Sequence, residues 1–189
     1  PVVSGTAERS DPDWPADHEL LAAASGEDAA DVAPAVFEAS LSPHLAAELA
    51  GQPLDPAELR AAYARRAASV EAIVVEGVGG LLVPLTPDYL VRDLARDVAL
   101  PLVIAAQPGL GTINHTLLTL EAARSAGLSV AGVVMTPWPA EPSAMEADNR
   151  ETIARLGEVE VATLATIRRA DPALLATAGA ALPLDRWLS

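Results

Sequence analysis

Two short stretches carry residues whose types and spacing could do chemistry. The first is IVVEGVGGLLVPL, Ile73 to Leu85, where one carboxylate, Glu76, interrupts an apolar run and is followed by Gly77, Val78, Gly79 and Gly80. A charge among apolar side chains is costly unless it is paired, hydrogen-bonded or bound to a metal. An apolar run ending in an acid and then a glycine-rich turn is an arrangement in which the acid helps hold Mg2+ on nucleotide phosphates. The metal would offset the charge of Glu76, and the glycines would let the backbone approach a ligand closely. The plainer alternative is a carboxylate that caps the next turn. The second stretch is PGLGTINHT, Pro108 to Thr116, which enters a helix near Thr112 through two glycines. Bare amides at Gly111, Thr112 and Ile113 would make an anion site for a phosphate or carboxylate. A strand-to-helix connection capped by Thr112 fits the same spacing. His115, His18 and His44 have neither metal-ligand spacing nor a triad around them, and they read as packed or solvent-facing. The acids of the first loop (Glu8, Asp11, Asp13, Asp17, Glu19) read as a solvated surface, one member of which could complete a Mg2+ shell.

These stretches have to be positioned by regular elements. Runs rich in Val, Ile and Leu occur at 72–75, 101–106 and 129–134, with a weaker run at 159–164. Helical segments at about 88–98, 112–126 and 142–156 separate them. Strand and helix alternating in this way predict βαβ units and a parallel sheet. Continuous apolar strands predict a sheet covered on both faces. Upstream, a helix is expected from about Asp17, and SPHLAAELA starts with Ser42 as cap and Pro43 at the first helical position. Asp55, Pro56 and Glu58 predict a third helix closed by a capping box. The expected fold is a single α/β domain over 1–189, a doubly wound, mostly parallel sheet with helices on both faces. Ligands in such sheets sit beyond the carboxyl ends of the strands, where Glu76 and the PGLGT turn lie.

Bulk properties narrow the class. The chain has 189 residues, 51% hydrophobic but only 3% aromatic, and a formal charge of −14. That charge argues against a nucleic-acid groove, which needs clustered cations on the phosphates. There is no Cys, hence no disulfide framework or thiolate metal site. There is also no Lys, so the side-chain cations are Arg and protonated His. No apolar run reaches the roughly 18 residues of a membrane span and no basic, then apolar leader opens the chain, so a cytoplasmic protein without membrane contact is expected.

Three stretches together resemble dethiobiotin synthetase, the ATP-dependent ligase of biotin biosynthesis: PVVSG, VVEGVGGLLVPL and PGLGTINHTLLTLEAARSAGLSVAGVV, supported by SPHLAAELAG. The loop WPAEP and the following NRETIARL look most like actinobacterial members. The resemblance implies a P-loop NTPase-like fold and a homodimer that joins CO2 to 7,8-diaminononanoate. A carbamate is phosphorylated by ATP to a mixed anhydride, which the second amine attacks to close a cyclic urea. It implies Asp17 and Glu76 as Mg2+ ligands, with Gly77, Val78, Gly79, Thr136 and Pro137 joining them around ATP. Ser4, Val78 and Gly79 would contact the diamine. Gly111, Thr112 and Ile113 would hold its carboxylate, and Asn114 would reach across the dimer interface. Where many members read adenine with Asn, Met135 and Thr136 stand here. The family's phosphate loop, GTxTxxGKT, and a second Lys precede the PVVSG-like stretch. Because the chain starts at Pro1 without Lys, it is expected to be a piece of a longer enzyme, lacking the first strand and phosphate loop and nearly inactive alone. Two other readings stay open: a catalytically dead diamine-binding or regulatory subunit, and a P-loop amide ligase of the cobyrinate synthase type.

Overall fold

A computed structural model of the protein describes residues 1–8 and 14–188. It divides into two compact units, Pro1–Val98 and Ala99–Ser189.

In the first unit β1 (Val2–Val3) pairs in parallel with β2 (Ala35–Val36), Val2 opposite Ala35. Between them run a 3-10 turn at Thr6–Glu8, α1 (Asp17–Ser25) and α2 (Ala29–Val32). Next come α3 (Pro43–Leu49) and α4 (Pro56–Ala67), each with Pro in its first turn. A hairpin of β3 (Pro84–Thr86) and β4 (Tyr89–Leu90) then leads into α5 (Val91–Val98). The starts of these helices follow local chemistry. Glu19 accepts the Ala16 amide at 2.9 Å at the head of α1, and Asp55 accepts the Ala57 amide at 2.7 Å at the head of α4. The reciprocal Glu58 bond expected at α4 is not among the hydrogen bonds of the described residues. An exposed glutamate gains little from being held there. Val2, Phe37, Ala46, Ala47, Leu59 and Leu85 form the core of this unit. At its surface Tyr89 donates its hydroxyl to Asp97 (2.8 Å), which also accepts from Arg60 (3.1 Å), tying α4 to β4 and α5.

The run AIVV at 72–75, expected as the first core strand, forms no ladder. Residues 70–79 make no backbone–backbone hydrogen bond among the described residues, and Val74 is 83% exposed. An apolar segment becomes a buried parallel strand only when neighbours pair along its edges and helices cover its faces. Among the described residues β1 and β2 pair only with each other.

The second unit carries the alternation the periodicity predicts. Its elements are β5 (Leu102–Ala106), α6 (Thr112–Ser125), β6 (Val130–Trp138), α7 (Ala144–Gly157), β7 (Val161–Ala165), α8 (Pro172–Gly179) and α9 (Leu184–Trp187). The strands lie in the order β5-β6-β7, all parallel, with Ile104 opposite Val133 and Val133 opposite Val161. From Gly132 to Met135 every residue of β6 is buried. Val133 and Met135 pack with Leu120 of α6 and Ile153 of α7. Gly132 instead meets the Trp187 ring of α9, where an added Cβ would lie 2.7 Å from Cζ2. This sheet is therefore covered on both faces at its centre, the α/β arrangement expected. A capping box fixes the start of α7: Glu146 accepts the Ser143 amide at 2.7 Å, and Ser143 Oγ accepts the Glu146 amide at 3.3 Å. Among the described residues no helix is long and apolar enough to cross a membrane.

Candidate functional site

In the first unit Ser4 follows the carboxyl end of β1 and is half-buried. Gly5, directly after it, adopts φ +84°, and an added Cβ would lie 2.6 Å from Ser40 Oγ. Asp17 opens α1. Glu76 follows the unpaired run 72–75 and, contrary to the buried charge expected, is solvent-accessible on one side. On its other side lies a cavity of about 540 Å3 walled by Val2, Leu21, Tyr63, Ile73, Leu85 and Val91. The apolar surroundings raise the Glu76 carboxyl above its ordinary value, and the negative charge of Asp17 raises it further. The fold thus brings the two predicted Mg2+ carboxylates close enough to repel. At the cavity rim Arg66 pairs with Glu27.

The turn after Glu76 is closely fitted. Gly79 has φ +65°, and an added Cβ would stand 2.9 Å from Val83 Cγ2. Only glycine takes that conformation without strain. Val78 packs against the apolar core of the unit and also lines the cavity. Of the first-loop acids, Asp11 and Asp13 lie outside the described residues. His18 and His44 are half-buried, and Nδ1 of each is buried without a hydrogen-bond partner among the described residues.

Carboxylate oxygens suit a hard divalent cation. Mg2+ takes one or two carboxylates and completes its shell with phosphate oxygens and water. Among the described residues no group of three His, Cys, Asp or Glu is placed to hold a metal. A cation held by Asp17 and Glu76 would therefore depend on oxygens from its ligand, which is how phosphate-borne Mg2+ binds.

In the second unit α6 begins at Gly111, with φ +91° and no side-chain cap. The three expected bare amides are not all bare: Thr112 N–H donates to Gly109 O at 3.3 Å. Gly111, Ile113 and Asn114 make no backbone–backbone bond through their amides among the described residues. The Thr112 hydroxyl is buried 3.5 Å from that of Thr116 instead of capping the helix. Asn114 and His115 are exposed, as is Leu110 at 94%. Thr136 and Pro137 lie where the β6–β7 register shifts between Met135 and Trp138, so they leave the ladder near the carboxyl end of β6; the peptide joining them is cis. Sequence reasoning missed Asn149, buried on α7 with its Nδ2 2.9 Å from Pro108 O and 3.4 Å from Gly109 O. Its spacing of four from the core residue Ile153 was the available signal: a polar side chain on the apolar face of a helix.

Comparison with known proteins places the chain in a family. The profile of an AAA domain family matches residues 1–170. The chain belongs to that family. It is also similar to several ATP-dependent dethiobiotin synthetases. The protein from Bacillus subtilis (strain 168) is 40% identical over 131 residues, covering 69% of this chain and 57% of the relative. One from Mycobacterium sp. (strain KMS) is 42% identical over 134 residues, or 70% and 58%. One from Anaeromyxobacter dehalogenans (strain 2CP-1) is 43% identical over 147 residues, or 77% and 66%. The aligned part of the chain thus spans a little over half of the first two relatives and about two thirds of the third. The P-loop NTPase-like α/β class and the resemblance to dethiobiotin synthetase both stand on these matches.

Proposed function

We propose that this chain forms the body of a dethiobiotin synthetase, closing a cyclic urea on 7,8-diaminononanoate with CO2 at the expense of ATP. The observation that supports the reading is that the negative charge of Asp17 acts on Glu76, beside the Gly77–Gly80 turn. Asp17 and Glu76 would hold Mg2+, whose charge offsets theirs and that of the phosphates. Around ATP we place the backbone of Gly77, Val78 and Gly79, together with Thr136 and Pro137. Ser4, Val78 and Gly79 contact the diamine, and the head of α6 holds its carboxylate through the amides of Gly111 and Ile113, that of Thr112 being engaged by Gly109 O. With the diamine so fixed, one amine takes up CO2 as a carbamate, the γ-phosphoryl group passes to the carbamate oxygen, and ADP leaves. The second amine attacks the carbamoyl carbon, phosphate departs and the ring closes. Positioning and charge neutralisation account for most of the catalysis in such a reaction.

The reading includes a cytoplasmic homodimer in which Asn114 reaches the other copy; the exposure of Leu110 and Leu118 on either side of Asn114 supports a contact there. It also holds that the 189 residues alone turn over little or nothing, because no Lys is present to neutralise the phosphates. The test supplies the full gene product with diamine, bicarbonate, ATP and Mg2+, and follows dethiobiotin by mass spectrometry. Diamine-dependent ADP release with ring closure is expected, and its absence from a folded protein defeats the reading. The same missing Lys favours one rival, a diamine-binding subunit without catalysis. Calorimetry separates the two, since the rival requires diamine binding without Mg·ATP binding.

A further inference from the structure

We infer that Asn149 is a positioning residue for the carboxylate end of the substrate, a role that rests on the reading of the α6 head given above. Asn149 lies on α7, 40 residues from the β5–α6 turn in sequence, and is 7% exposed. Its Nδ2 donates to Pro108 O at 2.9 Å and to Gly109 O at 3.4 Å. Gly109 O also accepts the Thr112 amide at 3.3 Å, so the carbonyl that seats the first residue of α6 is itself held from α7.

The electrostatic consequence is directional. A carbonyl oxygen facing an incoming carboxylate repels it, whereas an amide attracts it. By donating to both oxygens, Asn149 offsets part of the negative charge of two successive carbonyls and anchors from α7 the turn on which α6 starts. The turn that follows, with Gly111 at φ +91°, then leaves the amides of Gly111, Ile113 and Asn114 without backbone partners. The side chain need never touch the substrate. It offsets negative charge at the turn the substrate meets, and it acts only on the part of the substrate that is charged.

That selectivity supplies a test a purely structural role would not pass. In the full gene product, Asn149→Ala is compared with the parent on two substrates: the diamine with its carboxylate, and the same carbon chain with the carboxylate replaced by hydrogen. The variant should raise KM for the carboxylate-bearing diamine by about tenfold. It should leave KM for the carboxylate-free diamine and for ATP within about twofold, and it should barely move kcat. Hydrogen exchange should quicken at the amides of 109–114 ahead of those in the middle of α7. If both diamines are weakened equally, or only the melting temperature falls, Asn149 is structural glue and the inference is wrong. If the parent shows no diamine-dependent turnover, the proposed function fails first and this inference with it. Asn149→Ser, which keeps one shorter donor, carries the same comparison should the alanine variant fail to accumulate folded.

Discussion

Glu76→Gln separates stability from function at the candidate metal site. The Glu76 carboxyl is raised from its ordinary value near 4.5, chiefly by its apolar surroundings and then by Asp17. A raised value means that the folded chain binds more protons than the unfolded chain between the two values. Stability tied to this group is therefore greatest below about pH 4.5 and is lost as pH rises through the elevated value. Above that raised value the metal-free protein carries the whole penalty. Because the group is solvent-accessible on one side, that penalty is below about 1 kcal/mol, or at most about 4 °C in melting temperature for a chain of this size. Glu76→Gln should recover it and flatten the pH dependence of stability above pH 4.5. In an Asp17→Asn background the gain should shrink but stay positive, since burial is the larger cause. The same substitution in the full gene product should weaken Mg2+-dependent ATP binding about tenfold or more. Calorimetric melting from pH 4 to 8 and titration with Mg·ATP read the two effects. Loss of stability at pH 7, or unchanged metal-dependent affinity, would refute the reasoning.

Other perturbations test the fold and the interface. Gly132→Ala forces a Cβ to within 2.7–2.9 Å of three Trp187 ring atoms and should cost about 1–3 kcal/mol in urea unfolding; pairing it with Trp187→Leu should remove most of that cost, and an additive pair would deny the contact. Ser143→Ala removes the cap of α7 and should cost about 1 kcal/mol, read by chemical denaturation, with no change meaning that the box contributes nothing. Gly79→Ala, at φ +65° and 2.9 Å from Val83 Cγ2, should destabilise by about 1–3 kcal/mol; a neutral result would show that the turn relaxes freely. Leu118→Glu, at an exposed leucine of α6, should convert the full gene product from dimer to monomer in sedimentation experiments, and a parent that is already monomeric contradicts the assembly proposed here.

Local chemistry made much of this protein readable in advance. Pro43 and Pro56 mark the starts of α3 and α4, and the apolar runs at 101–106, 129–134 and 159–164 become the three parallel strands of one sheet. These features depend on near neighbours in the chain, so composition and spacing carry them. What escaped depends on partners distant in sequence. AIVV has the composition of a core strand but lacks the ladder that would make it one, and Val74 stays exposed. The hairpin β3–β4 and the short α8 and α9 give weak periodic signals, yet Trp187 of α9 covers Gly132.

The candidate site divides in the same way. Sequence alone picked out Glu76 with its glycines and the turn before α6, because an acid or a glycine in an apolar run is costly without a purpose. Tertiary structure alone decided that Asp17 lies close enough to Glu76 to raise its proton affinity, that the Thr112 amide is already engaged, and that Asn149 holds the turn 40 residues away. Charge repulsion and hydrogen bonding act over a few ångströms of space. Only folding sets which residues share that space.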